Sequence, residues 1–363
     1  MDAHDFMQDY LKDCAPAAYG TKTKVEPEAR LNLNEYQYPI SPKVIKAIEE
    51  QAPLSSQYVY LGDNTTGELI EKIARYAGVG PENVALEAGL DQSFNRLPKV
   101  FIGPGENLVT MSPMYPELMH GTKRSGGEVK YVPLDRPEFT LDPDKVLEAV
   151  DRKTKIVFIC NPNNPTSTKY PRDDILKIVE NAKAMVFVDE CYYEYCGETV
   201  ADVIDEYKNL VVPRSFSKAF GLAGARTAYF LGSPEFVDAY TRILSGFEYN
   251  RFGVCAAIAS LDDLGFYEDI WARIKGERDL LVADLRKMGL KVWDSAAGMI
   301  FLDCSATGKS STEVRDYFMD KHRILIRDVS ATFTEMEPKY ISFAIGTPEI
   351  NQKLRAGFKE LMA

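Results

Sequence analysis

The 363-residue chain has only three histidines, His4, His120 and His322, and none is spaced as a metal ligand. Histidine-based metal or triad chemistry therefore has little support, and lysine or a carboxylate is the expected general base. The six cysteines (Cys14, Cys160, Cys191, Cys196, Cys255 and Cys304) include no CxxC pair. That excludes a disulfide framework or a zinc site as the organising device and fits a reducing cytosol. Positive charge is also short, with 43 Lys and Arg against 54 Asp and Glu. Nucleic acid is a poor partner for such a chain, because phosphate neutralisation needs a basic face. No apolar run approaches the roughly 18 residues of a membrane span. The opening MDAHDFMQDYLKDCAP carries Asp residues where a signal peptide would have an apolar core, so a cytoplasmic location is expected.

What is present is an ordinary globular composition, 45% hydrophobic and 27% charged, in a length suited to one large domain and a smaller one. Helical spacing at 43–51 and 67–77 precedes short apolar strands that alternate with helical stretches. The strands are NVALEAG, NLVTMSP, EVKYVPL, KIVFICNPN, AMVFVDE, LVVPRSFS and TAYFLGSP; the helical partners fall at 91–102, 115–126, 142–150 and 172–182. Continuous apolar strands such as IVFIC suit a sheet covered by helices on both faces, so a parallel-rich α/β domain is expected. A long helical pattern over 255–288 leads to strands KVWDS, MIFLDC, RILIRD and YISFAIG and a last helix at 348–362. The expected division is an N-terminal arm (1–40), a large α/β domain (41–245) and a linking helix with a small α+β domain (246–363).

Polar motifs repeatedly follow strand ends, where open α/β sheets place their ligands. In EAGLDQS the backbone N–H groups of Gly89, Leu90 and Asp91 could meet a phosphate, or simply start a helix. In ICNPNNPTS two prolines fix a loop presenting Asn163 and Asn164, which reads as a ligand contact or as a rigid turn. In VFVDECYYEY, Asp189 ends an apolar strand, where a carboxylate is costly without a cation or donor. It would pair a protonated ring nitrogen or cap a helix. In SFSKAFGLAGAR, Lys218 lies among small residues with Ser215, Ser217 and Arg226. Such a lysine could form an imine with an aldehyde whose attached phosphate the serines and Arg226 hold.

Taken in this order and spacing, NPNNPT, DECYYEY and SFSKAFGLAGAR resemble the motifs of the class I/II aminotransferases of pyridoxal-phosphate fold type I. The histidinol-phosphate aminotransferase group is the nearest, from LNLNEYQYPISP (31–42) to AIGTPEINQKL (344–354). The resemblance implies a mostly parallel seven-stranded sheet with a smaller C-terminal α+β domain, and pyridoxal 5'-phosphate as cofactor. It implies that Lys218 bonds the cofactor and moves the proton, that Asp189 pairs the ring nitrogen, and that Tyr192 and Asn164 bond the ring's 3-oxygen. Tyr115 would stack on the ring. Ser215, Ser217, Arg226 and the N–H groups of Gly89, Leu90 and Asp91 would hold the phosphate, joined by Tyr60 from a neighbouring subunit of a homodimer. Arg327, Tyr36 and Lys339 would face the substrate.

Four motifs depart from the family's pattern. Its usual C-terminal arginine, which grips the substrate's anionic group, is replaced by Ser342, leaving Arg327 and the nearby Lys339. Gly298 stands where the small domain usually has Asn, Ser167 where a Gly is usual, and Leu90-Asp91-Gln92 where Ser-Asp-Glu is usual. The cofactor machinery is complete and the substrate side is altered. The expectation is transfer of an amino group from an amino acid to a 2-oxo acid or a phosphorylated carbonyl compound. A decarboxylase resembling the threonine-phosphate decarboxylases, or a lyase, is the alternative, and a non-catalytic regulator is a third reading that the acidic chain and its short leader disfavour.

Overall fold

The computed structural model of the chain describes residues 2–14, 23 and 25–363. Residues 15–22 and 24 of the expected N-terminal arm lie outside the described residues. The seven expected strands of the large domain form at Val84–Glu87 (β1), Asn107–Ser112 (β2), Glu128–Pro133 (β3), Thr154–Cys160 (β4), Met185–Asp189 (β5), Leu210–Ser215 (β6) and Ala228–Gly232 (β7). They build one sheet in the order β1-β7-β6-β5-β4-β2-β3. The central strands are apolar throughout because neither face meets water: Val186, Phe187 and Val188 are all fully buried. Every neighbouring pair is parallel except those of β7, which runs against both β6 and β1.

That reversal matters for the site. Glu87 at the end of β1 and Ser215 at the end of β6 both pair with Ala228, the first residue of β7. The chain entering β7 therefore arrives where its two neighbours leave, and it carries Arg226 to the same sheet edge as Gly89 and Ser215. On the next strands, Cys160 pairs with Asp189, so the ends of β4 and β5 lie side by side.

Two expected helices are interrupted. The helical pattern over 91–102 divides into Leu90–Arg96 and Pro98–Phe101, since Pro98 has no N–H to continue the ladder. The pattern over 255–288 divides into Arg251–Leu261 and Leu264–Lys287. The break falls at Asp262 and Asp263, poor helix formers that have partners elsewhere. Asp263 accepts from Ser41 at 2.6 Å and from Lys43 at 2.5 Å, which fastens this junction to the helix Pro42–Gln51.

The smaller antiparallel sheet contains Lys291–Val292 (β8), Met299–Asp303 (β9), Arg327–Asp328 (β10) and Tyr340–Ala344 (β11), in the order β10-β11-β9-β8. The expected strand RILIRD serves two sheets. Arg327–Asp328 joins this one, whereas Ile324–Leu325 pairs in parallel with Ala29–Arg30. Leu31 continues the attachment by accepting from Ala344 N at 2.9 Å. The last part of the expected arm is thus a strap fixed to the small sheet before it crosses to the large one.

Candidate active site

The sheet edge just described and the strap enclose a cavity of about 240 Å³. Lys218, half-buried, projects into it from the turn after β6 and donates from Nζ to the Leu33 carbonyl at 2.9 Å. Burial holds its proton affinity below that of an ordinary lysine, and the Arg327 guanidinium pushes the same way. Asp189 lies in the cavity wall and is 2% exposed, with no cation within ion-pair distance among the described residues. Burial raises its carboxyl to about 7, opposed by the Cys191 backbone N–H, which donates to Oδ1 at 3.0 Å. A buried carboxylate in a cavity without a countercharge is an invitation to a cationic ligand atom.

Tyr192 and Asn164 occupy the same wall, and both are buried. The Tyr192 hydroxyl accepts from Asn34 Nδ2 at 2.9 Å. Asn164 Oδ1 accepts from Arg327 Nη1 at 2.9 Å, which leaves its amide N–H groups for another acceptor. Ser215 and Ser217 line one end of the cavity, with the Ser217 N–H donating to Ser215 Oγ at 3.1 Å. Arg226 stands beside them, 3.7 Å from the Asp91 carboxylate, and Asp91 Oδ1 in turn accepts from Tyr115 at 2.8 Å. Gly89 has φ +95°, and a Cβ there would fall 2.7 Å from the Arg226 Cζ. Only glycine lets the guanidinium lie against this turn.

Arg327 reaches the cavity from β10. Its Nε donates to the Asn32 carbonyl at 2.8 Å, and no carboxylate lies within ion-pair distance of it among the described residues. Its cross-strand partner on β11 is Ser342, fully buried and with an Oγ that has no hydrogen-bond partner. The position where the family has an arginine thus shares a sheet face with the one cation that remains.

Two residues expected at the substrate, Lys339 and Tyr36, are absent from this cavity. Lys339, expected at the substrate, precedes β11 and does not line the cavity, and its ammonium is held 2.5 Å from Glu337 and 3.7 Å from Asp303. That expectation is corrected: two local carboxylates retain the cation. Tyr36 does not line the cavity; it packs on Gly221, and burial raises its hydroxyl well above the usual range. Tyr60 is 46% exposed and packs on Phe247 at the surface of its own chain.

The cavity also contains residues that the motifs did not single out. Glu35 lies next to the expected Tyr36 in LNLNEYQYP and faces the cavity in its place. Cys160 and Cys191 meet there, because the β4–β5 register sets Cys160 beside Asp189. Their hydrogen bond and burial push the Cys191 thiol well above its ordinary range. Spacing along the chain carries no signal for such a pair. Behind the wall, the buried Arg214 binds Glu190 at 2.8 Å and lies 3.7 Å over the Tyr193 ring. Gly298, the departure from Asn, has an equally local cause: a Cβ there would lie 2.8 Å from the Tyr195 ring.

The family model for aminotransferases of class I and II matches residues 27–356. The chain belongs to that family. The histidinol-phosphate aminotransferase of Methanothermobacter thermautotrophicus is 31% identical over 97% of this chain and 93% of its own. Among solved structures, the histidinol-phosphate aminotransferase of Sinorhizobium meliloti in complex with pyridoxal-5'-phosphate superposes with a TM-score of 0.84 at 26% identity, covering 93% of this chain and 91% of that one. L-threonine-O-3-phosphate decarboxylase from Porphyromonas gingivalis, at 19% identity and a TM-score of 0.79 over 92% of this chain and 99% of that one, shares the fold alone. The protein is a pyridoxal-phosphate-dependent aminotransferase of fold type I, and decarboxylation is not the favoured reading. The cavity fits the cofactor: it offers a buried carboxylate without a countercharge, a lysine of reduced proton affinity, and a serine–arginine corner around Gly89.

Proposed function

We propose that the enzyme transfers an amino group from an amino acid to a 2-oxo acid or a phosphorylated carbonyl compound, as the histidinol-phosphate aminotransferases it resembles do by name. The observation that carries the reading is Lys218 and Asp189 in one cavity with the unpaired Arg327 across from them. Ser215, Ser217, Arg226 and the turn at Gly89–Asp91 would hold the cofactor's phosphate, while Asp189, Asn164, Tyr192 and Tyr115 would hold its ring. Bound there, pyridoxal phosphate supplies a ring that accepts the electron pair left when a bond to the substrate's α carbon breaks. Lys218 Nζ would take the proton from the α carbon and deliver it to the cofactor's former aldehyde carbon, and its reduced proton affinity suits both halves of that task. Asp189 keeps the ring nitrogen protonated. Arg327 grips the substrate's anionic group, with Nη2 free for it, and so orients the α carbon toward Lys218.

We further infer a cytoplasmic homodimer. Tyr58, Tyr60 and Phe247 form an exposed aromatic cluster, with Tyr58 and Phe247 rings 5.2 Å apart, which a second copy would cover, and the family resemblance gives Tyr60 a place at the neighbouring subunit's phosphate. All six cysteines are free thiols, which supports a reducing compartment. Among the described residues no helix is long and apolar enough to cross a membrane.

The test is a half-reaction. Holoenzyme is mixed with single amino donors in the absence of any acceptor, and the cofactor spectrum is followed. Transfer predicts loss of the lysine-bound band, gain of the amine-form band and one equivalent of oxo acid. Carbon dioxide without the amine form would point instead to decarboxylation. Lys218→Ala should abolish the conversion, and a variant that kept full turnover would overturn the assignment of Lys218.

A further inference from the structure

The charged residues lining the cavity divide by position. Arg226 and Asp91 face each other at the serine corner, Lys218 and Asp189 belong to the cofactor ring, and only Arg327 and Glu35 are left over among the described residues. Both sit on or against the strap. Asn32 O accepts from Arg327, Leu33 O accepts from Lys218, and Asn34 donates to Tyr192, so three consecutive residues are pinned to the site and Glu35 is the next. Its own position is braced. Glu35 Oε1 accepts from Arg30 Nη2 at 2.8 Å, and Gln37 Nε2 donates to the carbonyls of Arg30 and Glu35 at 2.9 and 3.0 Å. One carboxylate oxygen is therefore engaged with a half-exposed arginine, and the other has no such partner among the described residues.

We propose that Glu35 is a specificity-determining residue that limits the substrate to one anionic group, a carboxylate or phosphate held by Arg327, with an uncharged or cationic body beside Glu35. The inference rests on the cofactor filling the remainder of the cavity as proposed above. A second carboxylate entering the site would meet an anion with no second cation among the described residues to receive it, because the opposite position on β11 is the neutral Ser342 and Lys339 is held elsewhere. Arg30 offsets part of the repulsion, so the discrimination is moderate, about tenfold for like charges several ångströms apart at a partly solvated site. The converse also holds. A protonated or hydrogen-bond-donating tail finds in Glu35 the acceptor that completes its contacts.

The experiment uses holoenzyme and two non-reacting probes of the same shape, glutarate and its half-amide glutaramate, with dissociation constants read from the cofactor spectrum and by calorimetry. Wild type should bind the half-amide about tenfold more tightly than the dianion. Glu35→Gln should bring the ratio near one, Glu35→Asp should keep it, and Arg30→Gln, on a half-exposed side chain, should widen it. Glutarate binding as tightly as the half-amide to wild type overturns the proposal without any variant being needed. A preference unchanged in Glu35→Gln, or binding of neither probe, overturns it as well. These measurements involve no turnover. Failure of every amino donor in the half-reaction would instead sink the reading of the site as a transferase, so the two failures are distinct.

Discussion

Replacing Asp189 by asparagine should stabilise the cofactor-free protein at alkaline pH and weaken the cofactor-bound one. The side chain is 2% exposed and has no cationic partner, and burial raises its carboxyl from 3.8 to about 7. A carboxyl raised in the fold binds more protons than in the unfolded chain between those two values, so stability falls as pH rises through that window. Once the group is ionised, above about pH 7, the penalty reaches about 4 kcal/mol as an upper bound. Asparagine has the same shape, and its oxygen can still accept from the Cys191 N–H, so it removes the charge and keeps the contact. Urea unfolding of cofactor-free wild type and Asp189→Asn at pH 4.5 and 8 measures the difference; at pH 4.5 about the same stability is expected and at pH 8 a variant more stable by about 2–4 kcal/mol. Adding pyridoxal phosphate should reverse the order, because only the carboxylate attracts a protonated ring nitrogen. A stability gain of the same size at both pH values, or none at pH 8, would refute the claim that Asp189 is an uncompensated charge in the empty protein.

Arg327→Ala should raise the KM for anionic substrates about ten- to a hundredfold while the cofactor still loads, and loss of the cofactor in that variant would place the guanidinium wrongly. Arg214→Met should destabilise the protein by about 3–5 kcal/mol in thermal or urea unfolding, since it strands the buried Glu190 carboxylate. Gly298→Ala should cost about 1–3 kcal/mol through overlap with the Tyr195 ring. The loss should shrink in a Tyr195→Leu background, and an equal loss there would reject the steric account.

The central strands of the large sheet were readable because each is a short apolar run bounded by turn residues, and a strand buried on both faces has no other composition available to it, whereas the edge strand Glu128–Pro133 mixes exposed and buried residues instead. The reversal of β7 was not readable, since burial on two faces looks the same in either direction. It nevertheless explains why Arg226 can work with Gly89, 137 positions earlier in the chain. The cofactor side of the site was legible for a related reason: its residues come in runs around strand ends, so a motif contains several at once. The residues beside the cofactor motifs come singly from the strap and from β10, as Glu35 and Arg327 do, and nearness in sequence misled there. Lys339 is three residues from Ser342 yet is held by Glu337, and Tyr36 is one residue from the group that lines the cavity. The split of RILIRD between two sheets had the same origin, because alternation within a strand does not say which partner each half will find.

The strap also dictates when the protein can first act. Residues 28–35 leave the ribosome early, but their anchor is Arg323–Leu325, near the other end of the chain. The large sheet has all its strands by residue 232, with Lys218 and Asp189 already on it. A nascent chain at that stage holds Lys218 without Arg327 and without the hydrogen bond that docks Asn32. The cavity is thus walled on its strap side only once residues 323–327 have been made, and a chain that stops at residue 232 leaves Lys218 on an open sheet edge.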